Sequence, residues 1–237
     1  MYHPARAAAA LPGYPGRTMG MEEVRIPVGE GAVTASVHGA GPTVVILGHG
    51  AGSDRRHTRL LDLAEALAAS GRRAVLYNFP YKDRGGRAPD PGPVLEGTTR
   101  AVGEYARGVL GAARLVHGGR SMGGRIASQA VAAGAPADGL VFLAYPLHPP
   151  GRPEVRRDRH LPGITAPMLF VQGTRDAFAR WDLLEGLLAR LGDRASLHRI
   201  EDGDHSFAVR KRSGRLPEDV RAEVQDAVLR WLSARGL

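Results

Sequence analysis

Gly118-Gly119-Arg120-Ser121-Met122-Gly123-Gly124 is the stretch on which the reading of this chain turns. It follows an apolar run, residues 113–117, and opens a helical pattern over residues 122–133. Within it, Gly119-x-Ser121-x-Gly123 places a glycine two positions to either side of a serine. A chain that passes straight from strand to helix turns so sharply that the serine backbone is strained. Side chains at the flanking positions would collide with the turn. The hydroxyl is left standing at the top of a sheet, and the positive end of the helix dipole faces it. A glycine-rich turn with no chemistry is the plain alternative; the flanking strand and helix are what set this match apart from it.

Working outward, residues 43–47 (Thr-Val-Val-Ile-Leu), 73–79, 140–145 and 167–172 are further nearly continuous apolar runs. Such runs suit strands buried on both faces. Residues 23–28 and 32–37 alternate partly and flank Gly29-Glu30-Gly31, which reads as a hairpin. Leu60, Leu61, Leu63, Ala64, Leu67 and Ala68 make a helical stripe, and residues 183–191 another. Residues 194–200 read as a last strand. Residues 217–234 read as a closing helix with Pro217 at its first position. Strands alternating with helices predict an α/β fold, a mostly parallel sheet covered on both faces. Ligands of such sheets sit beyond the carboxyl ends of the strands, so the loops there carry the candidate chemistry. The stretches 84–93 and 146–167 read as long connections, and the second, leaving a strand's carboxyl end, is placed to cover the site.

Composition bounds the rest. The 237 residues, 43% of them hydrophobic, suit a single domain over residues 21–237. Residues 1–20 read as a disordered leader. There is no cysteine, so disulfides and a thiolate nucleophile are excluded. No apolar run reaches the ~18 residues of a membrane helix, and a cytoplasmic protein is expected. The net charge of +8 raises nucleic acid as a partner. Lys82 and Lys211 are the only lysines and Asn78 the only asparagine, however, so the surplus is an arginine bias spread along the chain. No specific nucleic-acid or membrane partner is expected, and nothing in the sequence sets an oligomeric state. Four of those arginines, Arg152, Arg156, Arg157 and Arg159, lie in the covering stretch; a solvated charged loop is the plainer reading, a preference for anionic substrates the sharper one.

A serine nucleophile needs a base, the base needs a carboxylate to hold its tautomer, and the oxyanion needs N–H donors. His205 lies in Asp202-Gly203-Asp204-His205-Ser206-Phe207, between the last strand and the last helix. Asp176 ends Gly173-Thr174-Arg175-Asp176 after the strand before it. The order Ser121, Asp176, His205 is the order Ser, Asp, His of one known triad arrangement. Plain solvation for His205 and a helix N-cap for Asp176 are the bland alternatives. The amide of Met122, just after the serine, and that of Ala51, with Gly52 as the alternative, in Gly48-His49-Gly50-Ala51-Gly52-Ser53-Asp54, are the expected oxyanion donors. His49, His148 and Arg152 are candidate substrate contacts. The histidines show no HExxH spacing, so no metal is expected, and no cofactor is required.

These segments together resemble the dienelactone-hydrolase-like branch of the α/β-hydrolase superfamily. The closer likeness is to a subgroup that holds bacterial proteins and the hydrolase-like domain of a subunit of the eukaryotic non-specific-lethal histone acetyltransferase complex. The resembling segments are GHGAGSD (48–54), NFPY (78–81), GGRSMGGR (118–125), YPLHPP (145–150), QGTRD (172–176) and GDHSF (203–207). The resemblance implies the α/β-hydrolase fold and puts Ser121, Asp176 and His205 at the triad positions. Dienelactone hydrolases proper use a cysteine nucleophile, so the serine here does not imply dienelactone as substrate. The reading is a serine hydrolase of an ester or thioester acting on a small acyl substrate through an acyl-enzyme. The alternative is a binding or scaffold module that keeps the fold without turnover, as the eukaryotic relatives suggest.

Overall fold

The computed structural model describes residues 20–237, so the leader expected at the N-terminus lies almost wholly outside the described residues. Eight strands form one sheet: β1 (Met21–Val28), β2 (Gly31–His38), β3 (Thr43–Gly48), β4 (Arg73–Tyr77), β5 (Arg114–Arg120), β6 (Gly139–Leu143), β7 (Met168–Gly173) and β8 (Ala195–Ile200). Their spatial order is β1-β2-β4-β3-β5-β6-β7-β8. β1 and β2 form the expected antiparallel hairpin, and β2 also runs antiparallel to β4. All other neighbours are parallel. This is the α/β-hydrolase fold that the resemblance implied.

Among the described residues six α-helices accompany the sheet: α1 (Thr58–Ala69), α2 (Pro80–Asp83), α3 (Gly92–Gly108), α4 (Met122–Ala132), α5 (Trp181–Leu191) and α6 (Pro217–Ala234). The central strands are apolar on both faces because both are covered. Val45 and Leu47 of β3 pack with α1 and α6 on one side. Val44 and Ile46 of the same strand pack with α3 and α4 on the other. Side chains alternate across a strand, so neighbouring residues enter opposite layers.

α3 goes beyond the expected set: it lies where residues 94–112 had no element assigned to them. Its buried face is Leu95, Thr98, Thr99, Val102, Gly103 and Ala106. That is a helical repeat, but half of it is threonine and glycine, which do not read as apolar. Thr98 and Thr99 hide their hydroxyls by donating to the carbonyls of Val94 (2.8 Å) and Leu95 (3.2 Å). Residues 146–167 form the expected long connection, with only a short 3-10 turn at Leu161–Gly163. Leu147, Leu161 and Ile164 are buried among Phe142, Phe170, Leu184 and Leu187. The stretch is therefore fastened into the core beside β6, β7 and α5.

Candidate active site

Three strand ends build the site. β5 runs into α4 through Ser121, whose φ of 51° and ψ of −115° lie in a region that side-chain-bearing residues rarely adopt. The turn is held by the Ser121 N–H donating to the Leu143 carbonyl of β6 at 2.9 Å. Both flanking glycines are needed sterically. A Cβ on Gly119 or on Gly123 would overlap the Gly48 carbonyl oxygen at the end of β3. The closeness of β3, β5 and α4 thus permits no side chain at either position.

The Ser121 hydroxyl donates to His205 Nε2 at 2.9 Å. On the far side of the ring, His205 Nδ1–H donates to Asp176 Oδ2 at 2.8 Å and Oδ1 at 3.0 Å. A carboxylate only accepts, so Nδ1 carries the hydrogen and Nε2 keeps the lone pair that the serine needs. The Asp176 side chain is fully buried and that of His205 is 18% exposed, so the pair is shielded while the ring edge reaches the surface. Asp176 follows β7, and His205 sits in the loop between β8 and α6. The two loops touch directly, with Arg175 N–H donating to the Gly203 carbonyl at 2.8 Å. Residues far apart in sequence are brought together as the order Ser, Asp, His anticipated.

The helix N-terminus leaves the Met122 N–H without an intrahelical acceptor. Ala51 is exposed in the turn after β3, closed by Ser53 N–H donating to the Gly50 carbonyl at 3.1 Å. Residues not singled out from the sequence hold this turn. Tyr81 O–H donates to the Ala51 carbonyl at 2.8 Å, and Arg55 N–H donates to Asn78 Oδ1 at 2.9 Å. The segment Asn78–Tyr81, quoted above only for its likeness, is thus the brace of the turn.

Two candidate substrate contacts are corrected. His49 is fully buried: Nδ1–H donates to the Gly50 carbonyl (2.8 Å) and Nε2 accepts from Phe79 N–H (3.1 Å). Burial pushes its pKa down to about 4. His148 is buried as well, Nδ1–H on the Pro149 carbonyl and Nε2 accepting from Arg180 N–H, both at 2.8 Å. Both imidazoles have spent their hydrogen-bonding capacity on backbone, so they anchor loops and are not free for a ligand. Arg152 is exposed, with its backbone N–H on the Pro149 carbonyl at 3.1 Å.

Sequence reasoning also missed Phe178 and Gln172. The Phe178 ring stacks on His205 with centroids 4.1 Å apart and 29° between planes. Its N–H donates to Asp176 Oδ1 at 2.8 Å. Gln172 Nε2 donates to Asp176 Oδ2 at 2.6 Å. A polar residue closing the otherwise apolar run of β7 was the available signal. A second serine–histidine contact, Ser128 Oγ to His160 Nε2 at 2.7 Å, lies elsewhere. Ser128 is buried along α4, and its hydroxyl donates to the Arg125 carbonyl at 2.7 Å. Burial and the nearby Arg125 push His160 down to about 4. Among the described residues no carboxylate is hydrogen-bonded to that ring, so the contact pins residue 160 to α4 and does not form a triad.

Residues 41–233 match the family described as Alpha/beta hydrolase domain. Among solved structures, the chain is similar to XC6422 from Xanthomonas campestris, described as a member of a/b serine hydrolase without lid. The identity is 23%, the TM-score 0.70, and the match covers 92% of this chain and 98% of that one. It is similar also to a dienelactone hydrolase from Anabaena variabilis, at 21% identity, TM-score 0.68 and coverage of 91% and 97%. Est1E from Butyrivibrio proteoclasticus is a third, at 16% identity, TM-score 0.68 and coverage of 89% and 99%. At these identities the structural likenesses speak for the fold alone.

Proposed function

The chain belongs to the alpha/beta hydrolase family, and from that premise we propose that it is a serine hydrolase that cleaves an ester or thioester through an acyl-enzyme. One observation carries the reading. His205 bridges the Ser121 hydroxyl (2.9 Å) and the Asp176 carboxylate (2.8 Å) in a single ring orientation. The resembling segments named above favour the subgroup shared with the histone acetyltransferase subunit and its bacterial relatives.

Ser121 Oγ attacks the acyl carbonyl carbon as His205 Nε2 takes its proton. Asp176 holds the imidazole and balances the imidazolium that forms. The tetrahedral oxyanion faces the amides of Met122 and Ala51, each worth about 10²–10³ in rate. On collapse, the carbon–oxygen or carbon–sulfur bond to the leaving group breaks, and the Nε2 proton goes to that group. Water, deprotonated by the same nitrogen, then attacks the acyl-serine, and the acid departs as Ser121 regains its proton. The strained backbone at Ser121 fits this role, since a scaffold has no chemical use for a hydroxyl held in that conformation.

Hydrolysis of short-chain p-nitrophenyl esters tests the proposal. Ser121→Ala is expected to lower kcat by about 10⁴-fold or more, whereas Ser128→Ala retains activity. Equal activity of wild type and Ser121→Ala would remove Ser121 from the reaction. A wild type that neither turns over these esters nor labels at Ser121 with a fluorophosphonate favours the scaffold reading.

A further inference from the structure

β7 is buried along its whole length, and Gln172, fully buried within it, brings a primary amide into the core. A buried amide is costly unless both ends are bonded. Here both are. Oε1 accepts from the Tyr145 N–H at 2.9 Å, and Nε2 donates to Asp176 Oδ2 at 2.6 Å. The chemistry decides which end is which. A backbone N–H only donates, so the amide oxygen must face Tyr145, and the NH₂ is left for the carboxylate.

The Asp176 carboxylate is consequently held from several directions. Oδ2 accepts from Gln172, Oδ1 accepts from Phe178 N–H, and both oxygens share His205 Nδ1–H. The Phe178 contact comes from the same loop as Asp176 and moves with it. The Gln172 contact is different: its other end is bonded to the backbone just beyond β6, the strand whose Leu143 carbonyl seats the Ser121 N–H. One side chain therefore refers the position of the acid to the strand that fixes the nucleophile.

We propose that Gln172 is a positioning residue for the reaction. Its amide sets the plane of the Asp176 carboxylate, so that the imidazole held by Asp176 keeps Nε2 aimed at Ser121. This rests on the serine hydrolase reading. Among the described residues, the charged or titratable groups beside the Gln172–Asp176 pair include His205, bonded to the carboxylate, Arg120, whose guanidinium acts on Asp176 through space, and Arg199, the register partner of Gln172 on β8. The Tyr145 phenol is turned away and donates to the Arg157 carbonyl at 2.8 Å.

Two variants test it, Gln172→Met and Gln172→Glu, each assayed for kcat and KM on p-nitrophenyl acetate from about pH 5.5 to about pH 8.5. Gln172→Met is expected to lower kcat by about 10–100-fold, a loss of the size that outer-shell partners show in metal sites, with KM nearly unchanged. In Gln172→Glu the introduced carboxyl, when protonated, reproduces the donated hydrogen bond. When ionised, it sets a second negative charge against Asp176. The ratio of variant to wild-type kcat should therefore climb as pH falls. A purely structural role predicts a ratio flat with pH and losses shared between kcat and KM. Should Gln172→Met fail to fold, the pH trend of Gln172→Glu decides alone. Wild-type kcat in both variants at every pH, with Ser121→Ala inactive, overturns the positioning role and leaves the hydrolase reading standing. A wild type inert to both ester and fluorophosphonate overturns both.

Discussion

The roles of single residues here follow from whether a polar atom's bonds are already used. His205, His49, His148 and His160 all sit within hydrogen-bonding reach of a loop or a serine. Only His205 has a carboxylate on one nitrogen and a strained serine on the other. The rest are turned to backbone or to a buried hydroxyl. The same accounting gives Tyr81 a part in the site. Its hydroxyl is the bond that holds the Ala51 carbonyl, and with it the orientation of the next peptide units. Tyr81→Phe removes that bond and keeps the ring. We expect kcat on p-nitrophenyl esters to fall by about 10-fold, below the 10²–10³ that deleting a whole oxyanion donor costs, with little change in Tm. An unchanged kcat would show that the turn holds its shape without the tyrosine.

Among the elements, the junction of β3, β5 and α4 is the least tolerant. Gly48, Gly119 and Gly123 bring three backbones into contact with no side chain between them. In Gly123→Ala the new methyl would overlap the Gly48 carbonyl, and backbone cannot swing aside as a flexible side chain does. Overpacking of this kind costs about 1–3 kcal/mol, occasionally more. At this size each kcal/mol lowers Tm by about 2–4 °C. A Tm lower by roughly 5 °C or more, together with a large loss of activity, is the expected result in thermal melts and ester assays. Wild-type Tm in Gly123→Ala would mean that the junction is looser than the distances imply. α3 makes the complementary point. It packs against the sheet with threonine and glycine where leucine is usual, and the satisfied hydroxyls of Thr98 and Thr99 are what let polar residues serve as core.

Across the whole molecule, burial has an electrostatic consequence. His38, His49, His117 and His160 are each pushed down to about 4, chiefly because the fold removes them from water. Unfolded, they titrate near the ordinary histidine value of about 6.5. Between those values the unfolded chain binds more protons than the folded one, so stability falls as pH is lowered through that window and levels off below about 4. We expect Tm to drop by roughly 5 °C or more between about pH 7.5 and pH 5. A Tm that is flat over that range would mean that these rings stay solvated or charged in the native state. Four such rings, on different elements of the chain, make this a property of the fold as a whole, not of the site.

The layers and the site were legible in the sequence to different depths, for different reasons. Strands buried on both faces write themselves as continuous apolar runs, and the elbow writes itself as paired glycines, because local sterics allow nothing else there. That Ser121, Asp176 and His205 would meet was expected from the glycine-flanked serine, the strand ends and the chain order, and the three side chains are in contact. α3 could not be read from the sequence, because periodicity counts threonine as polar until its hydroxyl is seen to be satisfied. Nor could the burial of His49 and His148, the role of Gln172, or the bracing of the Ala51 turn by Tyr81. Each of those depends on a partner 27 to 32 positions away in the chain. Local sequence determines what a residue is able to do; only the packed structure decides which distant donor or acceptor it meets, and so whether a polar atom is left free for chemistry or consumed in holding the fold.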